Sequence, residues 1–170
     1  PKEWTMSFRI PYLRSMAQPT AEGLYRVDLK IIEAYDATRD FSKKSIRSAC
    51  YAPFVAMLFD PLGDVRVCCK NFTYTLGNVG GHRLDDSWTG KNIQVIRSAL
   101  QKYNFNLGCD YCKWQIAGGD FKHSFTSIFE EYAVDDQSLW LQMMEFNVSN
   151  TCNLECVMCN GEFSSAIRGR

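Results

Sequence analysis

The sequence predicts an α+β fold in which a β-hairpin and a helix form a small unit and a further strand follows it. Residues 55–59 and 64–68 are two largely apolar segments that flank a four-residue turn sequence at 60–63. Apolar residues then recur at helical spacing over residues 91–104. A last apolar segment, residues 139–148, has the length of a buried strand.

The hairpin is predicted from the residues of its turn, Asp60-Pro61-Leu62-Gly63. Proline fixes the φ angle that the second position of a turn requires, and glycine tolerates positive φ. A third short strand is predicted over Phe72 to Leu76, where Gly77-Asn78 closes it. Three short strands are therefore expected before the long helix.

Two helices are predicted to follow these strands. Asp85-Asp86-Ser87 can cap a short helix that runs through Trp88. A longer amphipathic helix begins after Gly90 and runs to about Asn104. Its apolar face consists of Ile93, Ile96, Leu100 and Tyr103.

Composition limits the classes of function. The 170 residues, 46% of them hydrophobic, suffice for one compact domain or for one domain and part of another. The 19 basic and 19 acidic residues cancel, so the net charge offers no attraction for nucleic acid or for an anionic membrane. No apolar run approaches the roughly 20 residues of a membrane span, and the first residues lack the pattern of a signal peptide. Eight cysteines in clustered spacings then indicate metal ligands rather than disulfides, and a cytoplasmic location.

Three cysteines near the end of the sequence carry the clearest chemical signal. Cys152, Cys156 and Cys159 form a Cys-x3-Cys-x2-Cys run after segment 139–148 and before a predicted helix start at Ser164-Ser165. Three thiolates on one loop can bind three irons of a cuboidal [4Fe–4S] cluster. The fourth iron then has no protein ligand, so a substrate or cofactor can coordinate it. A zinc loop or unrelated thiols are the alternatives.

The sequence around this run, FNVSNTCNLECVMCNGEFSSAIR, resembles the signature of the radical S-adenosylmethionine (SAM) enzymes. The resemblance implies a partial α/β barrel, of which residues 139–148 would be the first strand. It also implies that SAM binds at the open iron and is reductively cleaved to methionine and a 5′-deoxyadenosyl radical. Met158 stands where these enzymes carry a bulky apolar residue near the adenine of SAM, although a plain core role is the alternative. The implied partners are SAM and an electron donor such as flavodoxin or ferredoxin.

Four earlier cysteines form a second set: Cys50, Cys68, Cys109 and Cys112. The predicted hairpin brings the first two together, and a Cys-x2-Cys turn at the far side of a helix presents the other two. Four thiolates at a common point suit a fully ligated [4Fe–4S] cluster, and they equally suit a tetrahedral zinc ion. The residues alone leave both metals open.

The spacing from Cys50 through Gly63 to Cys68, followed by Cys109-Asp110-Tyr111-Cys112, resembles the SPASM and twitch domains that accompany many radical SAM enzymes. The resemblance covers residues 46–125 and implies an auxiliary [4Fe–4S] cluster, with zinc as the alternative. Full SPASM domains hold a second auxiliary cluster on further cysteines. Since no cysteine follows Cys112 before the final run, the single-cluster, twitch-like form is implied. The order is also inverted, because most such domains follow the catalytic barrel.

Three further residues have side chains that can bind a metal. Cys69 adjoins Cys68, and adjacent strand residues face opposite sides, so Cys69 is predicted to be a small core residue. His82 and His123 can in principle bind a metal, but both are expected to be ordinary exposed histidines. No catalytic residue is identified from the sequence.

The expected organisation has four parts. A lead-in covers residues 1–45, a twitch/SPASM-like cluster-binding domain 46–125, a linker 126–138, and the truncated start of a radical SAM domain 139–170. Because the sequence stops soon after the final cysteine run, we expect the front part of a longer enzyme, inactive on its own.

The expected function is that of the N-terminal part of a radical SAM enzyme that modifies a peptide, a protein or another substrate. Two alternatives come from other classes of function. One is a non-catalytic four-cysteine zinc module with a structural or interaction role. The other is an iron–sulfur electron-transfer protein, which needs no open iron.

Overall fold

The computed structural model describes residues 27–81, 83–135, 139–147, 149, 152, 154–157, 159 and 164–169. The elements in chain order are helix α1 (Leu29–Asp36), helix α2 (Ala52–Val55), strands β1 (Ala56–Phe59), β2 (Asp64–Arg66) and β3 (Gly77–Asn78), helices α3 (Leu84–Thr89), α4 (Lys91–Gln101) and α5 (Asp110–Ala117), a 3₁₀ helix (Phe125–Phe129), strand β4 (Met143–Phe146) and helix α6 (Ser165–Arg168). Helices and one small sheet are mixed along the chain, so the predicted α+β class is confirmed. Among the described residues, no helix has the length and apolar character that crossing a membrane requires.

The sheet has the strand order β3-β2-β1-β4. Strands β1 and β2 form the predicted antiparallel hairpin, with Leu58 opposite Arg66. Its turn closes through a hydrogen bond from the Gly63 N–H to the Asp60 carbonyl at 2.9 Å, and Gly63 adopts φ +83° as a turn glycine can. The turn residues therefore determine this hairpin as expected.

The third strand lies a few residues later than the sequence predicts. Residues 72–76 are not a strand; the short strand β3 is the Gly77–Asn78 pair itself. The reason is local, because the Asn71 side chain accepts a hydrogen bond from the Tyr74 N–H at 3.1 Å and bends the chain. The chain becomes extended against β2 only where the Leu76 N–H reaches the Val65 carbonyl at 2.7 Å.

Strand β4 is shorter and more exposed than the buried strand predicted over residues 139–148. It pairs in parallel with β1, with Ala56 opposite Met143. It lies at an edge of the sheet, where Met144 and Phe146 remain 48% and 58% exposed. Apolar content alone did not reveal that one side of this strand faces solvent.

Helix α4 packs its predicted apolar face into the core. Ile93, Ile96 and Leu100 are fully buried. The helix ends at Gln101 rather than near residue 104, because Tyr103 adopts a left-handed backbone conformation with φ +55°. Cys50, Cys68, Cys109 and Cys112 pack in or against the core that forms between this helix and the hairpin.

The segments expected as lead-in and linker both contribute to this core. Tyr35 of α1 is buried, and its hydroxyl donates to the Ala49 carbonyl at 2.9 Å. Phe129 and Val134, from the segment expected as a linker, are buried in the same core. The two segments thus pack on the hairpin-and-helix unit. The domain boundaries given above from the sequence remain predictions.

Candidate metal centre

Four cysteine side chains from separate elements line one cavity. Cys50 precedes α2, Cys68 follows β2, Cys109 caps the start of α5, and Cys112 lies in the first turn of that helix. The rest of the wall is made of Ala52, Pro53, Val67, Lys70, Asn71, Leu100, Phe105, Phe125 and Phe129. The sequence-predicted set is therefore brought together by the hairpin on one side and helix α5 on the other.

None of the four thiols is in a disulfide, and most of them are shielded from water. Cys50, Cys68 and Cys112 are buried, and Cys109 is half-buried. Burial raises the pKa of Cys68 to about 11 and the pKa of Cys112 to about 12. Burial, followed by the charges of the neighbouring thiols, raises the pKa values of Cys50 and Cys109 well above the ordinary thiol value. A metal must therefore displace protons from these thiols, which makes its binding depend on pH.

Hydrogen-bond donors point at the sulfurs. The Ala52 N–H donates to Cys50 Sγ at 3.4 Å. The side-chain amide of Asn71 donates to Cys109 Sγ at 3.7 Å. Such donors stabilise a thiolate, and in an iron–sulfur site they help to set the reduction potential. These donors partly offset the effect of burial on the pKa values of Cys50 and Cys109.

A cation borders the same cavity. Lys70 lines the wall, and its ammonium lies 4.7 Å from the ring centre of Tyr111 and 5.4 Å from that of Phe125. Both distances are in the range of a cation–π contact. The charge of Lys70 lowers the pKa of Cys112, against the larger effect of burial. A positive charge is thereby held beside a site that would become anionic when its thiols lose protons.

The four cavity thiols by themselves leave the choice of metal open. Within the part of the chain that the structure describes, no three Cys, His, Asp or Glu side chains are arranged to hold a single metal ion. A zinc ion needs its sulfurs at about 2.3 Å from one point. A [4Fe–4S] cluster instead spreads four thiolates over four separate irons. The four cysteines that line the cavity provide the number of thiol ligands that either metal needs.

Cys69 lies outside this arrangement. It is half-buried and is not part of the cavity wall, whereas the adjacent Cys68 is. Burial, followed by the charge of Glu145 on β4, raises the pKa of Cys69. Its placement outside the cavity wall agrees with the expectation that only one of the two neighbouring thiols faces the site. The predicted reason is wrong, because β2 ends at Arg66 and neither cysteine lies in a strand, and Cys69 is half-buried rather than a core residue.

The three cysteines of the final run lie outside the helices and strands of the described residues. Cys152 and Cys156 are exposed and Cys159 is half-buried. The Cys159 N–H donates to the Cys156 carbonyl at 2.9 Å, which forms a turn between them. The buried Ser164 hydroxyl donates to the carbonyls of Cys152 and Leu154 at 3.1 and 2.7 Å. The start of α6 therefore holds the beginning of the cysteine loop.

The remaining candidate residues add no ligand to either set. Met158, the predicted contact to SAM, and His82 lie outside the described residues. His123 is exposed, and its Nδ1 lies 3.0 Å from a carboxylate oxygen of Asp120. This surface pair agrees with the expectation of an ordinary exposed histidine.

Sequence reasoning did not identify Lys70 and Asn71 as parts of the site. Both directly follow Cys69 and so come from the bend that leaves β2. Asn71 is a polar residue with only 1% exposure. The sequence does show two polar residues close to the predicted ligand Cys68. Only the bend of the chain after β2, which the sequence did not predict, directs Asn71 toward Cys109.

Comparison with known families identifies this part of the chain. Residues 50–113 match the family model of SPASM, an iron–sulfur cluster-binding domain. The matched range begins at Cys50 and includes all four cavity cysteines. Comparisons with curated proteins and with solved structures found no match. The match supports iron–sulfur binding here and confirms the SPASM resemblance over these residues.

Proposed function

We propose that Cys50, Cys68, Cys109 and Cys112 together bind one [4Fe–4S] cluster. The observation that carries the proposal is that the four thiols line a single cavity inside the range matched by the iron–sulfur domain. Burial keeps water from Cys50, Cys68 and Cys112, and the Ala52 and Asn71 donors favour the thiolates of Cys50 and Cys109. This arrangement suits a cluster in which each of the four irons has a cysteine ligand.

We further propose that the chain is the N-terminal part of a radical SAM enzyme, with a second [4Fe–4S] cluster on Cys152, Cys156 and Cys159. The spacing of the run supports this, as does the exposure of Cys152 and Cys156, which leaves that loop open to a small molecule. When bound, such a cluster supplies the electron that cleaves SAM into methionine and a 5′-deoxyadenosyl radical. The substrate class we propose is a peptide or protein, with flavodoxin or ferredoxin as the electron donor.

The residues of the chain would orient this second site. The Leu154 N–H donates to Cys152 Sγ at 3.4 Å and would stabilise its thiolate. The hydroxyl of Ser165 adds a further bond to the Cys152 carbonyl at 3.0 Å. These contacts hold the first ligand of the run at the start of α6, while Cys156 and Cys159 form the following turn.

The experiment that tests this function is electron paramagnetic resonance of the reconstituted, reduced chain with and without SAM. We expect SAM to change the signal of one cluster and to leave the other unchanged. In the Cys156→Ala variant the SAM-sensitive signal should be absent. If wild-type protein carries both clusters and neither signal responds to SAM, the SAM-binding proposal is wrong and the electron-transfer alternative is favoured. One zinc per chain, without iron, would favour the structural alternative.

A further inference from the structure

We propose that Asn71 is the positioning residue of the SPASM-type site: it holds the loop that carries Cys109 and donates a hydrogen bond to the Cys109 sulfur, which raises the reduction potential of the bound cluster. This inference rests on the proposed four-cysteine cluster. Asn71 is not a ligand, because its amide cannot replace a thiolate on iron.

The side chain of Asn71 is fixed at every polar atom. Its Nδ2 donates to the Leu107 carbonyl at 2.9 Å and to Cys109 Sγ at 3.7 Å. Its Oδ1 accepts from the Tyr74 N–H at 3.1 Å. Because the residue is 1% exposed, water does not compete for these bonds. One amide thus ties the bend after Cys68 to the loop before α5.

The backbone of the Cys109 loop is shaped to let this amide approach. Gly108 adopts φ +76°, a conformation that favours glycine. A Cβ atom at this position would lie 2.3 Å from Asn71 Oδ1 and 2.7 Å from Thr73 Oγ1. Because Gly108 has no side chain, Asn71 can approach the loop this closely; any other residue at position 108 would collide with it.

The bond to sulfur has a direct consequence for the cluster. On cluster binding the Cys109 thiol loses its proton, so its sulfur can only accept hydrogen bonds. Reduction adds one electron, which makes the ligand sulfurs more negative and strengthens the bond from Asn71. A donor that stabilises the reduced state more than the oxidised state raises the reduction potential.

Two substitutions separate the loss of the donor from other effects. Asn71→Asp keeps an oxygen for the Tyr74 N–H but removes the donor and adds charge. Asn71→Ala removes the donor without adding charge. The control is Asn92→Asp at an exposed position, because the Asn92 amide also donates to backbone carbonyls, those of Thr75 and Leu76 at 3.4 and 3.2 Å, and makes no sulfur contact that the structure describes. All three are made in full-length protein that carries Ala at positions 152, 156 and 159, so that only one cluster contributes.

The measurement is a redox titration of that cluster followed by electron paramagnetic resonance, together with the iron content. We expect both Asn71 variants to lower the equilibrium constant for reduction at least tenfold, a shift of about 59 mV for one electron, and Asn92→Asp to change it less than threefold. If both Asn71 variants lose their iron while Asn92→Asp keeps its cluster, this would also support the role of Asn71 in positioning Cys109. The inference would be overturned if the Asn71 variants bind the cluster and its reduction potential is unchanged. It would also be overturned if Asn92→Asp shifts the reduction potential as much as they do. A parent protein without a cluster would instead overturn the proposed function.

Discussion

The rings of Phe59 and Phe146 stack with their centroids 4.8 Å apart and their planes 11° apart. The two residues lie opposite each other at the ends of the parallel strands β1 and β4. The chain enters β1 shortly after Cys50, and it leaves β4 toward Cys152. The sheet therefore joins the strand of the SPASM-type site directly to the strand that precedes the final cysteine run.

Loss of this stack should weaken the attachment of β4. We predict that Phe146→Ala lowers the free energy of unfolding by about 1 kcal/mol more than Phe72→Ala does, since an aromatic pair contributes about 0.5–1.5 kcal/mol beyond buried area. The control is matched because Phe72 is 55% and Phe146 58% exposed, and Phe72 has no stacked ring among the described residues. Urea unfolding measures the difference, and equal losses from the two variants would contradict the account.

The glycine that precedes Cys109 should be irreplaceable for steric reasons. Gly108 and Gly119 have nearly the same positive φ, +76° and +80°. An added Cβ at Gly119 meets nothing within 4 Å, whereas one at Gly108 collides with Asn71. We predict that Gly119→Ala costs about 1–2 kcal/mol for its backbone conformation alone, that Gly108→Ala costs more, and that only the latter releases iron.

Unfolding in urea and iron retention after desalting check this pair of variants. If both lost the same stability and both kept their iron, the close approach of Asn71 to the Cys109 loop would be irrelevant to the site.

The fold was predictable where local chemistry decides it. The Asp60–Gly63 turn specifies the hairpin, and the spacing of Ile93, Ile96 and Leu100 specifies the buried face of α4. Cysteine spacing likewise indicated which four thiols share a cavity. The turn and the helical periodicity can be read within a short stretch of sequence, whereas the four cysteines, which span residues 50–112, were grouped by their spacing together with the SPASM resemblance.

The features that sequence reasoning missed depend on long-range contacts. The Arg39 guanidinium pairs with Asp36 at 3.1 Å and with Glu130 at 2.7 Å, and its side chain is only 3% exposed. This pair joins the expected lead-in to the expected linker, 91 residues apart. No local pattern at either position marks such a buried ion pair, and the same holds for the bend that directs Asn71 toward Cys109.

The raised thiol pKa values predict how the metal-free protein reacts with iodoacetamide. The thiolate is the reactive form, so the exposed Cys152 and Cys156 should be modified before the buried Cys50, Cys68 and Cys112. Because the pKa of Cys68 is raised to about 11, its rate should keep rising roughly tenfold per pH unit from pH 8 to about 11. Mass spectrometry of timed samples measures each site. A Cys68 rate that matched Cys152 at pH 8, or that levelled off below pH 9 in folded protein, would contradict the buried site.

The central claim is that four thiols of the SPASM-type domain bind a cluster of their own. Its most direct test is the iron and sulfide content of reconstituted protein in which Cys152, Cys156 and Cys159 are all replaced by alanine. The account predicts about eight irons per chain for the wild type and about four for the triple variant. Adding Cys109→Ala should remove those four, and adding Cys69→Ala should leave them in place. A triple variant that holds no iron, or one zinc ion in place of iron, would contradict the account.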